Sequence, residues 1–117
     1  MQGQGWLTME EVNWNPAGKI MTVSPSTYKI PAVSDVPKIF NVEIFKKGIN
    51  KEKVVNKAKT TGEPPLMLAM SVFFAIKDAI ASVGKYKKIP ILDAPATPEK
   101  ILMSLNNLNN KDDYVKN

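Results

Sequence analysis

Few side chains in this 117-residue chain are equipped for chemistry, and composition says which. There is no cysteine and no histidine. Thiolate nucleophiles, imidazole bases, iron–sulfur ligation and the usual zinc sites are therefore closed to it. All sixteen basic residues are lysine. What remains for catalysis is a carboxylate, or a cofactor that brings its own reactivity. One carboxylate is singled out by its neighbours: Glu63 stands between Gly62 and the pair Pro64-Pro65, just before a long apolar run. A side chain there meets the positive end of a helix macrodipole. As a first-turn charge it contributes about 0.3–1 kcal/mol; held rigidly in a dry site, it is a general base. Residue type alone leaves both readings open.

The elements that would position Glu63 are legible in turn. Proline lacks an N–H and has φ already set, so Pro64 and Pro65 suit a first helical turn. Good helix formers follow, with no further Gly or Pro until Gly84, the expected stop. Between Leu66 and Ile76 only Ser71 is polar, and a helix apolar on every side is expected to be buried on every side. Lys77-Asp78 then interrupts a run that reads as too short for a bilayer crossing of about 20 residues.

Upstream, residues 1–23 read as a β-hairpin: β-formers between Trp6 and Trp14, the turn signal Asn15-Pro16-Ala17-Gly18, and a short return strand. Residues 24–59 hold a proline-bounded connector, a strand and a lysine-rich segment. The strand spans 39–45, with Phe40, Val42 and Ile44 on one apolar face. Residues 60–83 are the loop around Glu63 and the buried helix. Residues 84–117 begin as a proline-rich extended connector. A helix follows, capped by Thr97, with Pro98 first and Ile101, Leu102, Leu105 and Leu108 as its stripe. The Asn-rich, charged end is expected to fray. The expected fold class is α+β: a small hairpin or sheet, one long buried helix packed across it, and a shorter C-terminal helix.

Gly62-Glu63-Pro64-Pro65-Leu66, followed by Ser71-Val72-Phe73-Phe74-Ala75-Ile76-Lys77-Asp78-Ala79-Ile80, resembles the active-site segment of the xanthine dehydrogenase family, the molybdenum-cofactor hydroxylases. Three further blocks stand in the family's order. They are Gln2-Gly3-Gln4-Gly5 with Thr8-Met9-Glu10-Glu11, Pro25-Ser26-Thr27-Tyr28-Lys29-Ile30-Pro31, and Leu92-Asp93-Ala94-Pro95-Ala96-Thr97-Pro98-Glu99-Lys100-Ile101. The paired prolines resemble xanthine dehydrogenases more than the related aldehyde oxidases.

The resemblance implies a C-terminal segment of a larger molybdopterin-binding domain. It implies that Glu63 is the catalytic base and that Gln2, Lys59, Thr61 and Gly62 lie at the cofactor. Thr60 and Thr61 replace small apolar residues of the family and add hydroxyls there. The implied reaction is hydroxylation of purines, hypoxanthine or xanthine to urate, with water as the oxygen source. The implied cofactor is molybdenum-molybdopterin. FAD and iron–sulfur clusters would sit on other domains or subunits, with none bound by this chain alone, so the isolated chain is expected to be inactive. The implied partners are the remaining domains or subunits of the hydroxylase and a purine substrate, without a membrane; a homo-oligomer stays open.

Length and charge admit two rivals. One is a non-catalytic structural or interaction module derived from the same family. The other is a basic nucleic-acid-binding domain, resting on the net charge of +5 and the lysine-rich segment 46–59. That segment has no arginine fork and no interleaved aromatic residue, so a solvated face is the stronger reading. The N-terminus shows no basic region followed by an apolar run, and a cytoplasmic setting is expected.

Overall fold

The computed structural model describes residues 1–109; fraying was expected from Asn106 onward, but α3 stays helical through Asn107 to Asn109, and the rest of that expectation lies outside the described residues. Three α-helices carry the architecture: α1 (Gln2–Thr8), α2 (Glu63–Val83) and α3 (Pro98–Asn109). Short 3-10 turns occur at Val33–Asp35 and Val55–Lys57. Among the described residues the β-pairing is confined to one isolated antiparallel bridge, Trp14 to Ile20.

That bridge closes the turn read from the sequence. The Asn15 side-chain oxygen accepts from the Ala17 and Lys19 N–H groups, the Gly18 N–H donates to the Asn15 carbonyl, and Gly18 has a φ of 78°. The flanking segments do not extend into a ladder. Residues 2–8, read as a glycine-rich string leading into a strand, are helical instead. Their helix is held by packing of Gly3 and Gly5 against other segments, described below, and tertiary contact outweighs local propensity there.

α2 follows the rules of its sequence at both ends. The first four N–H groups of a helix lack intrahelical acceptors. Here two of the four positions are Pro64 and Pro65, so only the Gly62 and Glu63 N–H groups remain free. The helix ends at Val83, with Gly84 as C-cap. The left-handed residues that follow are Lys85 and Tyr86, and the Tyr86 N–H returns to the Ala81 carbonyl at 2.9 Å.

The burial of α2 departs from expectation. Within this chain only its Ala69 and Ile80 are buried, and Leu68 is 71% exposed. At 21 residues with a mean hydropathy of 1.8, α2 is long and apolar enough to cross a bilayer by length and composition. This corrects the reading of the apolar run as too short for such a crossing: Lys77 and Asp78 lie inside the helix that was expected to end at Gly84, and they are too few to lower its mean hydropathy below that of a spanning segment. A helix enclosed by protein satisfies the same test.

The one core forms where the chain doubles back. Ile80, Leu92 and Ala96 are buried together, packed by Phe73 and Ile76 of α2 and by Ile101, Leu105 and Leu108 of α3. Three of the four stripe residues read from the sequence thus face the core, whereas Leu102 points outward. Thr97 caps α3 as its sequence suggests, accepting from the Lys100 N–H.

This core is small for the chain. The accessible surface is 10191 Å², whereas a compact protein of this 13.0 kDa mass exposes about 6,300 Å². The radius of gyration is 18.9 Å, against roughly 13 Å for a compact chain of this length. Many large apolar side chains are among those exposed, Val33 at 90% and Ile44 at 84%.

Ser104, on α3, is 2% exposed, and its hydroxyl has no hydrogen-bond partner. A buried unpaired hydroxyl costs about 1–3 kcal/mol. Ser104→Ala should therefore raise stability by about 1 kcal/mol, measured as an upward shift of the urea midpoint; a downward shift would contradict that account.

Candidate active site

Glycine at position 3 decides how α1 and α2 meet. Gly3 is buried, and a Cβ there would lie inside contact distance of the Pro65 carbonyl oxygen and 2.7 Å from the Ala69 Cβ. No side chain fits, so the α1 backbone rests directly on the first turns of α2. The next residue towards the N-terminus is Gln2, and the residues just before the Pro65 turn are Gly62 and Glu63. The close approach therefore brings these two sequence-distant points together.

The other end of α1 is pinned as well. A Cβ on Gly5 would meet the Pro31 ring at 2.6 Å and the Glu10 carboxylate at 2.5 Å. The Tyr28 hydroxyl donates to that same carboxylate, at Glu10 Oε2. This hydrogen bond, with smaller contributions from desolvation and the carboxylate charge, raises the Tyr28 pKa above its ordinary 10.0. The connector 90–97 is tied on by the Ala96 N–H, which donates to the Leu7 carbonyl at 2.7 Å. Lys100 adds a bond to the Ala94 carbonyl and an ion pair with Glu11 at 3.7 Å.

Between the starts of α1 and α2 lies an open hollow of about 620 Å³. Gln2, Gly3, Gln4, Thr61, Pro64, Pro65 and Phe40 contribute to its wall. Two of the expected cofactor-contacting residues, Gln2 and Thr61, thus face one cavity. Glu63 sits between Thr61 and Pro64, both of which line it, and its own side chain is exposed. Gly62 is the N-cap of α2 and is open on all sides, with nothing near an added Cβ. Lys59 is exposed and does not line the hollow. Gln4 and Phe40 do, although sequence reasoning passed over both. The signal for Gln4 was available, since it stands between the two glycines that carry the packing.

The wall is mostly apolar, from Phe40, the two prolines, Leu68, Ala69 and Val72, with the Gln2 and Gln4 amides and the Thr61 hydroxyl as its polar groups; Glu63 stands next to it in the chain but does not line it. Among the described residues no cluster of three or more His, Cys, Asp or Glu could hold a metal.

Comparison with known proteins was made against this geometry. Residues 1–37 match the family described as "Molybdopterin cofactor-binding domain". The chain is similar to "Xanthine dehydrogenase/oxidase" of Felis catus, 48% identical over 107 residues, covering 86% of this chain. It is 46% identical to "Xanthine dehydrogenase/oxidase" of Gallus gallus over 104 residues, again covering 86% of the chain. To "Xanthine dehydrogenase" of Oryza sativa subsp. japonica it is 42% identical over 115 residues, covering 89%. The chain spans 8% of the length of each of these relatives.

Two outcomes test the packing. Helix propensity alone would make Gly3→Ala stabilising by about 0.5–1 kcal/mol. The contact with Pro65 reverses that sign, and overpacking of about 1–3 kcal/mol should lower stability instead. A urea titration of the two proteins reads the sign. The Tyr28 phenol should ionise above 10.0, followed as phenolate absorbance against Tyr28→Phe, and Glu10→Gln should lower its midpoint. A raised folded-state pKa means that the bond stabilises fully below the ordinary tyrosine value and is lost as pH climbs through the raised one.

Proposed function

The chain belongs to the xanthine dehydrogenase family, and on that footing we propose that it is the portion of a molybdenum-dependent hydroxylase that carries the catalytic base, Glu63. One observation carries the reading: the backbone contact at Gly3 gathers Gln2, Thr61 and the start of α2 around one hollow, with Glu63 between two of its lining residues. The residues present fit the molybdenum-molybdopterin cofactor. Gln2 and Gln4 offer neutral amides, Thr61 a hydroxyl, and the two free N–H groups of α2 suit an electron-rich edge. When bound, that cofactor supplies two-electron oxidation.

The protein's own share is proton handling and placement. Glu63 takes a proton from water-derived oxygen as that oxygen is delivered to a purine carbon. A base does so within about 3 Å of the proton, and the rigid start of α2 sets that position. Gln2 orients the cofactor from the opposite helix. Other domains or subunits would cover the apolar surface of α2, complete the substrate pocket and hold the FAD and iron–sulfur clusters. The setting proposed is the cytoplasm, and this chain by itself is expected to be inactive.

The large apolar surface also supports a second reading, a structural module without catalysis. Glu63→Gln in the assembled enzyme separates the two. Molybdenum content should stay unchanged while kcat falls at least ~100-fold, the scale of a lost general base. Unaltered turnover would leave the structural reading standing.

A further inference from the structure

The segment 39–45 is built for a sheet that is absent among the described residues. It alternates Phe40, Val42 and Ile44 against Ile39, Asn41, Glu43 and Phe45, with no Gly or Pro inside it. Its aromatic and β-branched residues favour strand. Yet Phe40 is 54% exposed, Val42 72% and Ile44 84%, so the apolar face is open along its length. No backbone N–H or carbonyl from residue 39 to 44 has a hydrogen-bond partner among the described residues. A single seven-residue stretch with these two deficits is half of a pairing.

A second copy of the chain is a poor other half. Antiparallel pairing centred on Val42 sets Lys38 opposite Lys46, and parallel in-register pairing sets each lysine against itself. Like charges directly opposite destabilise a ladder. The chain also spans only 8% of its relatives' length, so most of the polypeptide that could offer a sheet lies elsewhere. Resting on the function proposed above, we infer that residues 39–45 form a β-strand completed by the edge strand of a sheet in the remainder of the hydroxylase. That edge presents apolar residues to Phe40, Val42 and Ile44 and no lysine opposite Lys38 or Lys46. Phe40 also lines the hollow beside Gln2 and Thr61, so the added strand walls the candidate site.

The test uses the enzyme assembled from this chain and the polypeptide that carries the rest. Hydrogen–deuterium exchange of peptides covering 39–45 should slow about a hundredfold or more on assembly, as for amides entering a stable ladder. Adjacent residues direct their N–H groups to opposite edges, so a strand paired on one edge responds to Asn41→Pro or to Val42→Pro. One of the two should abolish both protection and co-purification, and Asn41→Thr, a strand-favouring change on the opposite face, should preserve both. Co-purification with unslowed exchange, or indifference to both prolines, overturns this inference and leaves the proposed function intact. Protection in a dimer of the chain alone also overturns it. If the two polypeptides fail to co-purify at all, the proposed function falls with it.

Discussion

The contact of the Gly3 backbone with the Pro65 carbonyl and Ala69 is the constraint on which this structure depends. It fixes α1 against the first turns of α2, and every other attachment of α1 is arranged about it. Glu10 and Tyr28 brace its far end, Pro31 packs on Gly5, and Ala96 bonds to Leu7. The four sequence blocks that carry the family resemblance therefore converge on one seven-residue helix. Packing explains several of their residues: glycines where backbones touch, a proline ring where a surface is needed, an acid and a phenol where a strut is needed. Gln2 and Thr61 owe their place on one hollow to this packing.

The prolines after Glu63 act on the same geometry in a second way. Any helix start presents four unpaired N–H groups, and a buried start must satisfy all of them. Removing two by proline leaves Gly62 and Glu63 alone to be satisfied. On the proposed reading, the two N–H groups that remain would donate to an electron-rich cofactor edge. The macrodipole survives, since it is a property of the aligned peptides behind the prolines. The prolines thus set both the placement of Glu63 and the number of donors that its helix start presents.

Local rules with short reach were the ones legible in the sequence. The start and stop of α2, the Thr97 cap, the turn at 15–18 and three residues of the α3 stripe depend on neighbours within a few positions. The helical state of residues 2–8 was not legible, because Gly3 and Gly5 weaken a helix by propensity and are needed there only through contacts with Pro65 and Pro31. Gln4 and Phe40 were missed at the hollow for the same reason: their membership is a matter of which segments cross. The apolar character of α2 was read correctly from composition, but composition does not say which polypeptide covers a helix. Within this chain only two of its residues are buried.

The exposure of Glu63 and the excess apolar surface are two sides of a single arrangement. A carboxylate in open water is a weak and unselective base, because solvent competes for its lone pairs and nothing fixes the substrate near it. α2 presents Leu66, Met67, Leu68 and Met70 to solvent one turn after Glu63, and removing these side chains from water is favourable. A partner surface that buries them also sweeps water from the first turn of the helix, and hence from Glu63. On the proposed reading, the step that completes the core and the step that makes the base effective are the same event. On that reading, covering the start of α2 would itself be what makes Glu63 an effective base.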